Sequence, residues 1–190
     1  GPILLNSDGR SAVISDRCRW SRAGAGSPFS DQRKFTVTIV SDELWYIDAD
    51  ITMTAGQDVE VERAKHSFFA IRAASDISPV YGGVLENSHG DRGAEGTYGK
   101  TADWCGYYGK RRQNPSLVEG LAVMEHPENP WAPCPWFTRD YGHLSPSPFN
   151  FLDKPWRIEK GQSIRMRYRI VAHAGSPAEA GLNAVFGDWV

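Results

Sequence analysis

The chain has 190 residues, with 21 Lys and Arg against 23 Asp and Glu and a formal net charge of −2. This length predicts one domain over residues 1–190, with a core that needs no disulfide bonds. The near balance of charge argues against a general nucleic-acid binder, which is normally basic. No apolar run approaches the ~18 residues of a transmembrane helix, so we expect neither a nucleic-acid nor a membrane partner.

Aromatic and turn-forming residues are abundant. The chain contains 7 Trp, 7 Tyr and 8 Phe together with 19 Gly and 12 Pro. Aromatic residues favour strands, whereas Gly and Pro favour turns. The composition therefore predicts an all-β protein, an antiparallel β-sandwich with long functional loops and one short C-terminal helix. Cys18, Cys105 and Cys134 have neither the number nor the spacing of a disulfide framework or a zinc motif, and a single disulfide between two of them stays open.

The first half of the chain predicts a succession of strands. Residues 6–9 (NSDG) favour a turn between two strands, and residues 22–30 indicate a loop of Gly, Ser and Pro. Alternation of apolar and polar side chains predicts strands at residues 34–40 and 43–53. Two more strands are predicted at residues 66–73 (HSFFAIRA) and 80–85.

Two long polar or irregular stretches interrupt this pattern. Residues 86–116 are rich in Gly, Asp, Arg and Asn, and residues 126–150 are rich in Pro and aromatic residues. An apolar strand is predicted between them at 117–125. Long loops in a compact domain are usually functional, and a rigid sheet commonly positions them. We therefore expect the functional site in these two loops and at His66.

The two ends of the chain have different features. Residues 163–173 alternate between apolar side chains and Arg, which predicts a strand. Ser176, Pro177 and Glu179 match an N-cap, a first helical position and a capping box, and predict a helix over 176–189. The apolar stripe of that helix would pack on the sheet and consists of Leu182, Val185, Phe186 and Trp189. Gly1 and Pro2 look like the remnant of a cleaved fusion tag.

The first long loop offers the polar groups and the ring face that a saccharide site requires. Its candidates supply carboxylates, an amide, an ammonium group and an indole, and they are Glu86, Asn87, Lys100, Asp103 and Trp104. The alternative is a solvated loop whose polar residues cap turns.

The second long loop contains a further set of candidates, Glu125, His126, Asn129, Trp136, Arg139, Asp140 and Tyr141. Arg139 and Asp140 are adjacent, so on an extended chain they point to opposite faces and do not pair. Arg139 could clamp a carboxylate or two hydroxyls, and Asp140 or Tyr141 could act as an acid or base. The alternative is an arginine that forms a salt bridge beneath a Pro-rich loop.

The histidines give little indication of a metal. None of the five stands at HxH or HxxxH spacing, and a transition-metal site needs two or three that converge. We expect no cofactor. The alternative is a metal such as copper, held by His66, His89, His126 or His143.

Several short motifs follow one another in an order that resembles a known family. They are KHSFFAIR (65–72), NSHG (87–90), GKTADW (99–104) with YYG (107–109), HPEN (126–129), WFTRDYG (136–142), and YR (168–169) followed by His173 and Gly175. Together they resemble the PmoA-like group of bacterial proteins, historically labelled methane oxygenase. The resemblance extends from Phe35 to Gly175.

The resemblance implies a β-sandwich similar to galactose-mutarotase-like domains, in proteins that accompany sugar catabolism. It points to nine candidate residues, His66, Asn87, Lys100, Trp104, His126, Asn129, Arg139, Asp140 and Tyr141. We do not carry over methane oxidation, because the chain has no apolar span. The paired-histidine HHRG motif that usually precedes this region in the family is absent.

These observations predict a carbohydrate-active enzyme, most simply a glycoside hydrolase, with a carbohydrate or glycoside as substrate. Two carboxylates would flank the scissile bond, Glu86 or Asp103 on one side and Asp140 or Glu125 on the other. In the supporting roles, His66 and His126 would move protons, Arg139 would hold the substrate, and Trp104 or Trp136 would stack on a sugar. The alternatives are a non-catalytic carbohydrate-binding module, a metal-dependent oxidoreductase, and a sugar epimerase or lyase.

Overall fold

The computed structural model describes residues 2–21 and 23–190. The strands of this part are β1 (Ile3–Ser7), β2 (Ser11–Arg19), β3 (Phe29–Ser41), β4 (Leu44–Ala55), β5 (Val59–Val61), β6 (Ile71–Arg72), β7 (Val84–Asn87), β8 (Trp104–Lys110), β9 (Val118–Glu125), β10 (Trp136–Thr138), β11 (His143–Pro146), β12 (Trp156–Ile158) and β13 (Ser163–Ala174). The α-helices are α1 (Gly93–Thr97) and α2 (Leu182–Gly187). Gly1 of the expected tag remnant and Arg22 of the predicted 22–30 loop lie outside the described residues.

The strands form an antiparallel sandwich. Eight of them make one large sheet in the order β1-β2-β3-β4-β13-β9-β8-β7. A three-stranded sheet, β10-β11-β6, and a two-stranded sheet, β12-β5, make the second layer. Every pairing within these sheets is antiparallel. The predicted fold class, an antiparallel β-sandwich with a short C-terminal helix, is confirmed.

Two apolar clusters join the layers. The first packs Leu85, Tyr107 and Val123 of the large sheet against Trp136 and Leu144 of the three-stranded sheet. The second surrounds the other half of the same sheet face and includes Ile51, Met53, Met166, Tyr168 and Ile158. Both clusters lie on one face of the large sheet. They hold the inner face of the three-stranded sheet against it, so that the outer face of the three-stranded sheet points away from the core.

The C-terminal helix covers part of the opposite face, but it is shorter than predicted. Leu182 and Val185 are buried there against Trp104 and Met124. The predicted capping box forms, because the Ser176 amide and hydroxyl both donate to Glu179 Oε2 at 2.7 Å. Gly181 then adopts a left-handed conformation with φ of 65°, so the α-helix begins at Leu182 rather than at Ser176.

Four strand predictions are confirmed by the structure. Apart from Glu43 and Leu117, the stretches 34–40, 43–53, 117–125 and 163–173 lie in β3, β4, β9 and β13. The 6–9 region leads from β1 into the turn before β2. The strand predicted at 80–85 is displaced, because Pro79–Tyr81 forms a 3-10 turn and β7 begins only at Val84.

Two predictions along the chain are wrong. Residues 66–73 do not form a strand beyond Ile71–Arg72. Adjacent Phe68 and Phe69 both pack into the core, which the alternation of a strand would not allow. Residues 86–116 are not one loop either, because they include the end of β7, helix α1 and the buried strand β8. The 126–150 stretch is irregular apart from the short strands β10 and β11 and one 3-10 turn.

The described residues contain no helix that is long and apolar enough to cross a bilayer. Cys18, Cys105 and Cys134 are all free thiols. Burial raises the pKa of the Cys105 and Cys134 thiols, so neither is a reactive thiolate at neutral pH.

Gly120 is a glycine whose replacement we expect to harm folding. A Cβ at this position would lie 2.3 Å from Cε1 and Nε2 of the buried His173 ring. We predict that Gly120→Ala destabilises the protein by about 1–3 kcal/mol, because the buried ring must shift to admit the methyl group. Gly187→Ala is the matched control, since a Cβ added there would have no other atom within 4 Å. Urea unfolding of both variants would contradict this account if they were equally stable.

Candidate active site

The outer face of the three-stranded sheet gathers aromatic and cationic side chains at one place. Along β10 and β11, Trp136 and Leu144 point into the core. Phe137 and His143 alternate with them and therefore face outward. Arg72 pairs directly with His143 across β6 and β11 and lies on the same outer face. We call this group, with His66, Tyr98 and Arg139, the outer-face site.

Two histidine rings and a phenylalanine ring meet at its centre. The His66 and His143 ring centroids are 5.8 Å apart, and each ring lies against Phe137, at 6.2 Å and 5.5 Å. His66 is exposed, whereas Nε2 of His143 is buried and has no hydrogen-bond partner. His66 is therefore the histidine of the pair that a ligand can reach directly.

Guanidinium groups and tyrosine rings surround this centre. Arg139 Cζ lies 4.2 Å from the Phe137 ring centroid and 4.6 Å from that of Tyr98. The Tyr98 hydroxyl accepts a hydrogen bond of 2.7 Å from the Asn150 amide, which fixes the ring with 38% of its surface exposed. Arg72 lies in the same way 4.9 Å from the ring centroid of the exposed Tyr141. The site thus contains two arginines, each beside a tyrosine ring.

A buried tyrosine holds the turn that carries Arg139 and His143. The Tyr107 hydroxyl lies 2.8 Å from both the Arg139 and the His143 carbonyl oxygens. The Arg139 amide also donates to the His143 carbonyl at 2.9 Å. Since Tyr107 is fully buried in the core, it anchors the backbone of the site to the large sheet.

The site is electropositive. Within the described ranges, no acidic side chain forms an ion pair with His66, Arg72, Arg139 or His143. Burial lowers the pKa of His143, and the nearby positive charges of Arg72, His66 and Arg139 lower it further. His143 is therefore neutral at pH 7, and an anion is the ligand that this field favours.

Asp140 and Lys100 lie in neighbouring positions but are already engaged. Asp140 Oδ1 accepts the Ala94 amide in the first turn of α1 at 2.8 Å. Lys100 Nζ forms an ion pair of 2.9 Å with Asp91. As predicted, Asp140 forms no ion pair with Arg139 among the described residues, and the Arg139 guanidinium donates instead to the Thr138 carbonyl at 2.9 Å.

Three other predicted residues converge elsewhere, on a cleft of about 490 Å³ beneath the C-terminal helix. Glu86 pairs with Arg92 at 2.9 Å and accepts the Tyr108 hydroxyl. The Asn87 side chain accepts the His89 and Asp91 amides and so shapes the turn. The Trp104 ring is buried, with its Nε1 donating to Asn183. The polar groups of these three residues therefore all bind other groups of the protein.

A third location holds Asp103 and Glu125, which line a cavity of about 100 Å³ with Phe186. Glu125 Oε2 accepts the Cys134 amide at 2.7 Å, while Oε1 is buried without a partner. Burial raises the pKa of Glu125. Glu125 therefore has the environment of a general acid, but its carboxyl is almost completely buried.

The remaining candidates of the second loop are structural. Asn129 binds both the amide and the carbonyl of Arg167 through its side chain. The buried His126 accepts the Glu128 amide on Nδ1 and packs on Trp189. Trp136 is fully buried and donates to the Ala102 carbonyl at 2.9 Å. The expectation that Trp136 stacks on a sugar is therefore corrected, because no face of its ring reaches solvent.

The four histidines of the metal hypothesis do not converge. His66 and His143 are neighbours, His89 lines the cleft beneath α2, and His126 packs on Trp189. In the portion of the chain that the structure covers, no three or more His, Cys, Asp or Glu side chains are placed to hold a metal ion.

The sequence analysis missed Arg72, Tyr98, Phe137 and His143 as members of one site. Phe137 and Arg139 stand two residues apart in WFTRD, which is the spacing of one strand face. That spacing could have paired them. Nothing local in the sequence indicates that Tyr98, at the end of α1, packs beside them.

Comparison with known proteins shows the family. Residues 4–187 match the model of DUF6807, a family of unknown function. The chain belongs to this family. The comparisons give no support for the PmoA-like resemblance, and the family that they show is DUF6807.

The comparisons with individual proteins give little more. No curated protein sequence matches the chain. One solved structure that it resembles is a GalM/aldose epimerase homologue from C. elegans, at 9% identity and a TM-score of 0.35, covering 92% of this chain and 68% of that one. A likeness of this size carries no argument about what this chain does.

The pH dependence of folding stability tests whether the buried carboxyl of Glu125 has a raised pKa. Because its pKa is raised in the fold, the folded protein keeps a proton that the unfolded chain releases above the ordinary value of 4.5. The contribution of Glu125 to stability is therefore greatest in acid and falls as the pH rises. We predict that Glu125→Gln gains stability relative to the parent between pH 5 and 8, because Gln still accepts the Cys134 amide but cannot ionise. If the difference in unfolding free energy between the two proteins did not change across this pH range, the raised pKa of Glu125 would be contradicted.

Proposed function

We propose that the protein is an enzyme that acts on a carbohydrate bearing a carboxylate, with His66 transferring a proton at the outer-face site. The observation that carries the proposal is the convergence of His66, His143, Arg139 and Arg72 around exposed tyrosine rings, with no acidic partner in the described residues. Tyrosine faces offer stacking surfaces for a sugar ring, and two guanidinium groups offer paired donors for a carboxylate.

The chemistry that suits these groups is proton abstraction next to the carboxylate of a uronic acid. The two guanidinium groups stabilise the negative charge that moves into the carboxylate as the carbon loses its proton. His66 accepts that proton. Two outcomes are then open to the electron pair left on C5. In epimerisation, C5 takes a proton from the opposite face of the ring. In elimination, the electron pair expels the C4 oxygen and forms a C4–C5 double bond, and the departing oxygen takes up a proton.

Hydrolysis by two carboxylates has less support. The four carboxylates of that hypothesis lie in different surroundings, with Glu86 paired to Arg92, Asp140 bound to the first turn of α1, and Glu125 without solvent access. Asp103 is exposed, but Glu125, the other carboxylate that lines its cavity, is buried. In contrast, the histidine and arginine groups of the outer-face site form no ion pair with a described acidic residue, and His66 and Arg72 are exposed there.

The test is a panel of uronate-containing oligosaccharides and their neutral counterparts, incubated with the protein in D₂O. Deuterium at C5, or absorbance of a C4–C5 unsaturated product, on the uronates alone is the expected result. Release of reducing ends without either change would support hydrolysis instead. Saturable binding without any turnover would indicate a carbohydrate-binding module, and no interaction at all would overturn the proposal.

A further inference from the structure

An apolar area on the large sheet is left uncovered by the second layer. It consists of Ala12 and Ile14 on β2, Val37 and Ile39 on β3, and Trp45 and Ile47 on β4, and we call it the β2–β4 apolar surface. Across the strands, Val37 pairs with Ala12 on one side and with Ile47 on the other, and Ile39 pairs with Trp45. Since directly paired residues of antiparallel strands share a face, these side chains form one continuous surface.

The surface lies on the same face of the sheet as the core. On β4, Ala49 and Ile51 follow Trp45 and Ile47 in the same alternation and are buried beneath the second layer. Trp45 remains 44% exposed and Ile47 36% exposed. None of the six residues of the surface is buried or belongs to a core cluster among the described residues. The apolar residues of these strands therefore extend beyond the part of the sheet that the second layer covers.

The other side of the same strands is more polar. Thr36, Thr38 and Asp48 face that side, and Asp48 forms an ion pair with Arg169. Its apolar residues include Val13 and Tyr46, and Tyr46 packs with the residues that α2 buries. Extended contiguous apolar areas are uncommon on the surface of monomeric proteins, and they commonly mark interaction sites. A partner is the simplest reason for a sheet face to remain apolar beyond its own core.

One end of the surface is acidic. A shallow pocket of about 220 Å³ there is lined by Trp45 together with the carboxylates of Asp42, Glu43 and Glu119. Glu119 is partly compensated by Arg111 at 3.4 Å. Asp42 and Glu43 form no ion pair with any residue the structure describes. A partner that covers the apolar area must therefore bring positive charge to this end.

The strand pairing limits the shape of that partner. Strands β2, β3 and β4 each have a neighbour on both sides, so a partner cannot add a strand here and must pack on the face. Helix α2 already packs an apolar stripe on the opposite face of this sheet. A helix with an apolar stripe fits a face of this kind, and lysines at one end of the helix would meet the acidic pocket.

From these features we propose that the β2–β4 apolar surface docks an amphipathic helix of a partner protein, with basic residues of that helix against Asp42, Glu43 and Glu119. This surface is separate from the outer-face site, and the proposal does not depend on the enzymatic one.

The test measures the binding of two fluorescently labelled synthetic helices, one built of Leu and Lys and one of Leu and Glu, by anisotropy. The Leu–Lys peptide should bind the wild-type protein and the Leu–Glu peptide should not. Ile47→Asp and Trp45→Ser should each weaken binding about tenfold or more, and Asp42→Asn with Glu43→Gln should weaken it severalfold. Val80→Asp is the matched control, because Val80 is 59% exposed and lies on a 3-10 turn away from the surface.

The other possible outcomes each contradict the proposed helical partner. Equal binding by all variants, or equal binding of both peptides, would overturn the proposal. If light scattering shows a dimer that Ile47→Asp separates, the occupant is a second copy of this chain and the helical partner is wrong. Circular dichroism of each variant confirms folding, and the milder Trp45→Ser substitution keeps the test valid if Ile47→Asp does not fold.

Discussion

Replacing His66 by Gln is expected to lower turnover of a carboxylated sugar by about 10²–10⁴-fold, the usual contribution of a general acid or base. His66 is exposed, and its contacts with Phe137 and His143 are at the edge of the fold. The substitution should therefore leave the free energy of unfolding within about 0.5 kcal/mol of the parent. The measurement is the initial rate at saturating substrate, together with a thermal unfolding curve.

His89→Gln is the matched control for this prediction. His89 is also exposed, but it lines the cleft beneath α2 and has no contact with the outer-face site. Turnover in this variant should equal that of the parent. Loss of activity in His89→Gln with normal activity in His66→Gln would move the active site to the cleft, where Glu86 and Trp104 lie.

Replacing Trp136 by Ala is expected to cost about 3–5 kcal/mol of folding stability. The ring is fully buried between the two layers, and its Nε1 donates to the Ala102 carbonyl. Removing it leaves a cavity and an acceptor without its partner. Chemical unfolding at equilibrium measures this loss directly.

The contrast with Tyr98 makes the prediction sharper. Tyr98 is 38% exposed and lies beside Arg139, so Tyr98→Ala should weaken sugar binding more than it weakens folding. A Trp136→Ala variant with normal stability and impaired binding would show that Trp136 has the substrate-stacking role first expected of it.

The strands with a clear alternation could be predicted from the sequence, and the others could not. In β13, apolar side chains alternate with three arginines because one face meets the core and the other meets solvent and ion pairs. Strand β8 lacks such a pattern, because both of its faces are buried, one under the second layer and one under α2. Its sequence WCGYYGK therefore resembles a loop.

The candidate site was predicted only in part for a related reason. His66 and Arg139 could be selected as chemically capable residues. Which residues are unengaged depends, however, on partners distant in sequence, as with Glu86 and Arg92 or Trp104 and Asn183. The pairing of β6 with β11 that brings Arg72 beside His143 is likewise a long-range contact that no local pattern contains.

The most direct test of the outer-face site is an NMR titration of the histidine side chains with glucuronate and, separately, with glucose. We predict that glucuronate shifts the resonances of His66 and His143 and raises the pKa of His143, which its cationic neighbours and burial now hold low. Glucose should have a much weaker effect, and His89 should not respond to either sugar. Equal shifts with both sugars, or a response confined to His89, would contradict an anion-binding active site on this face.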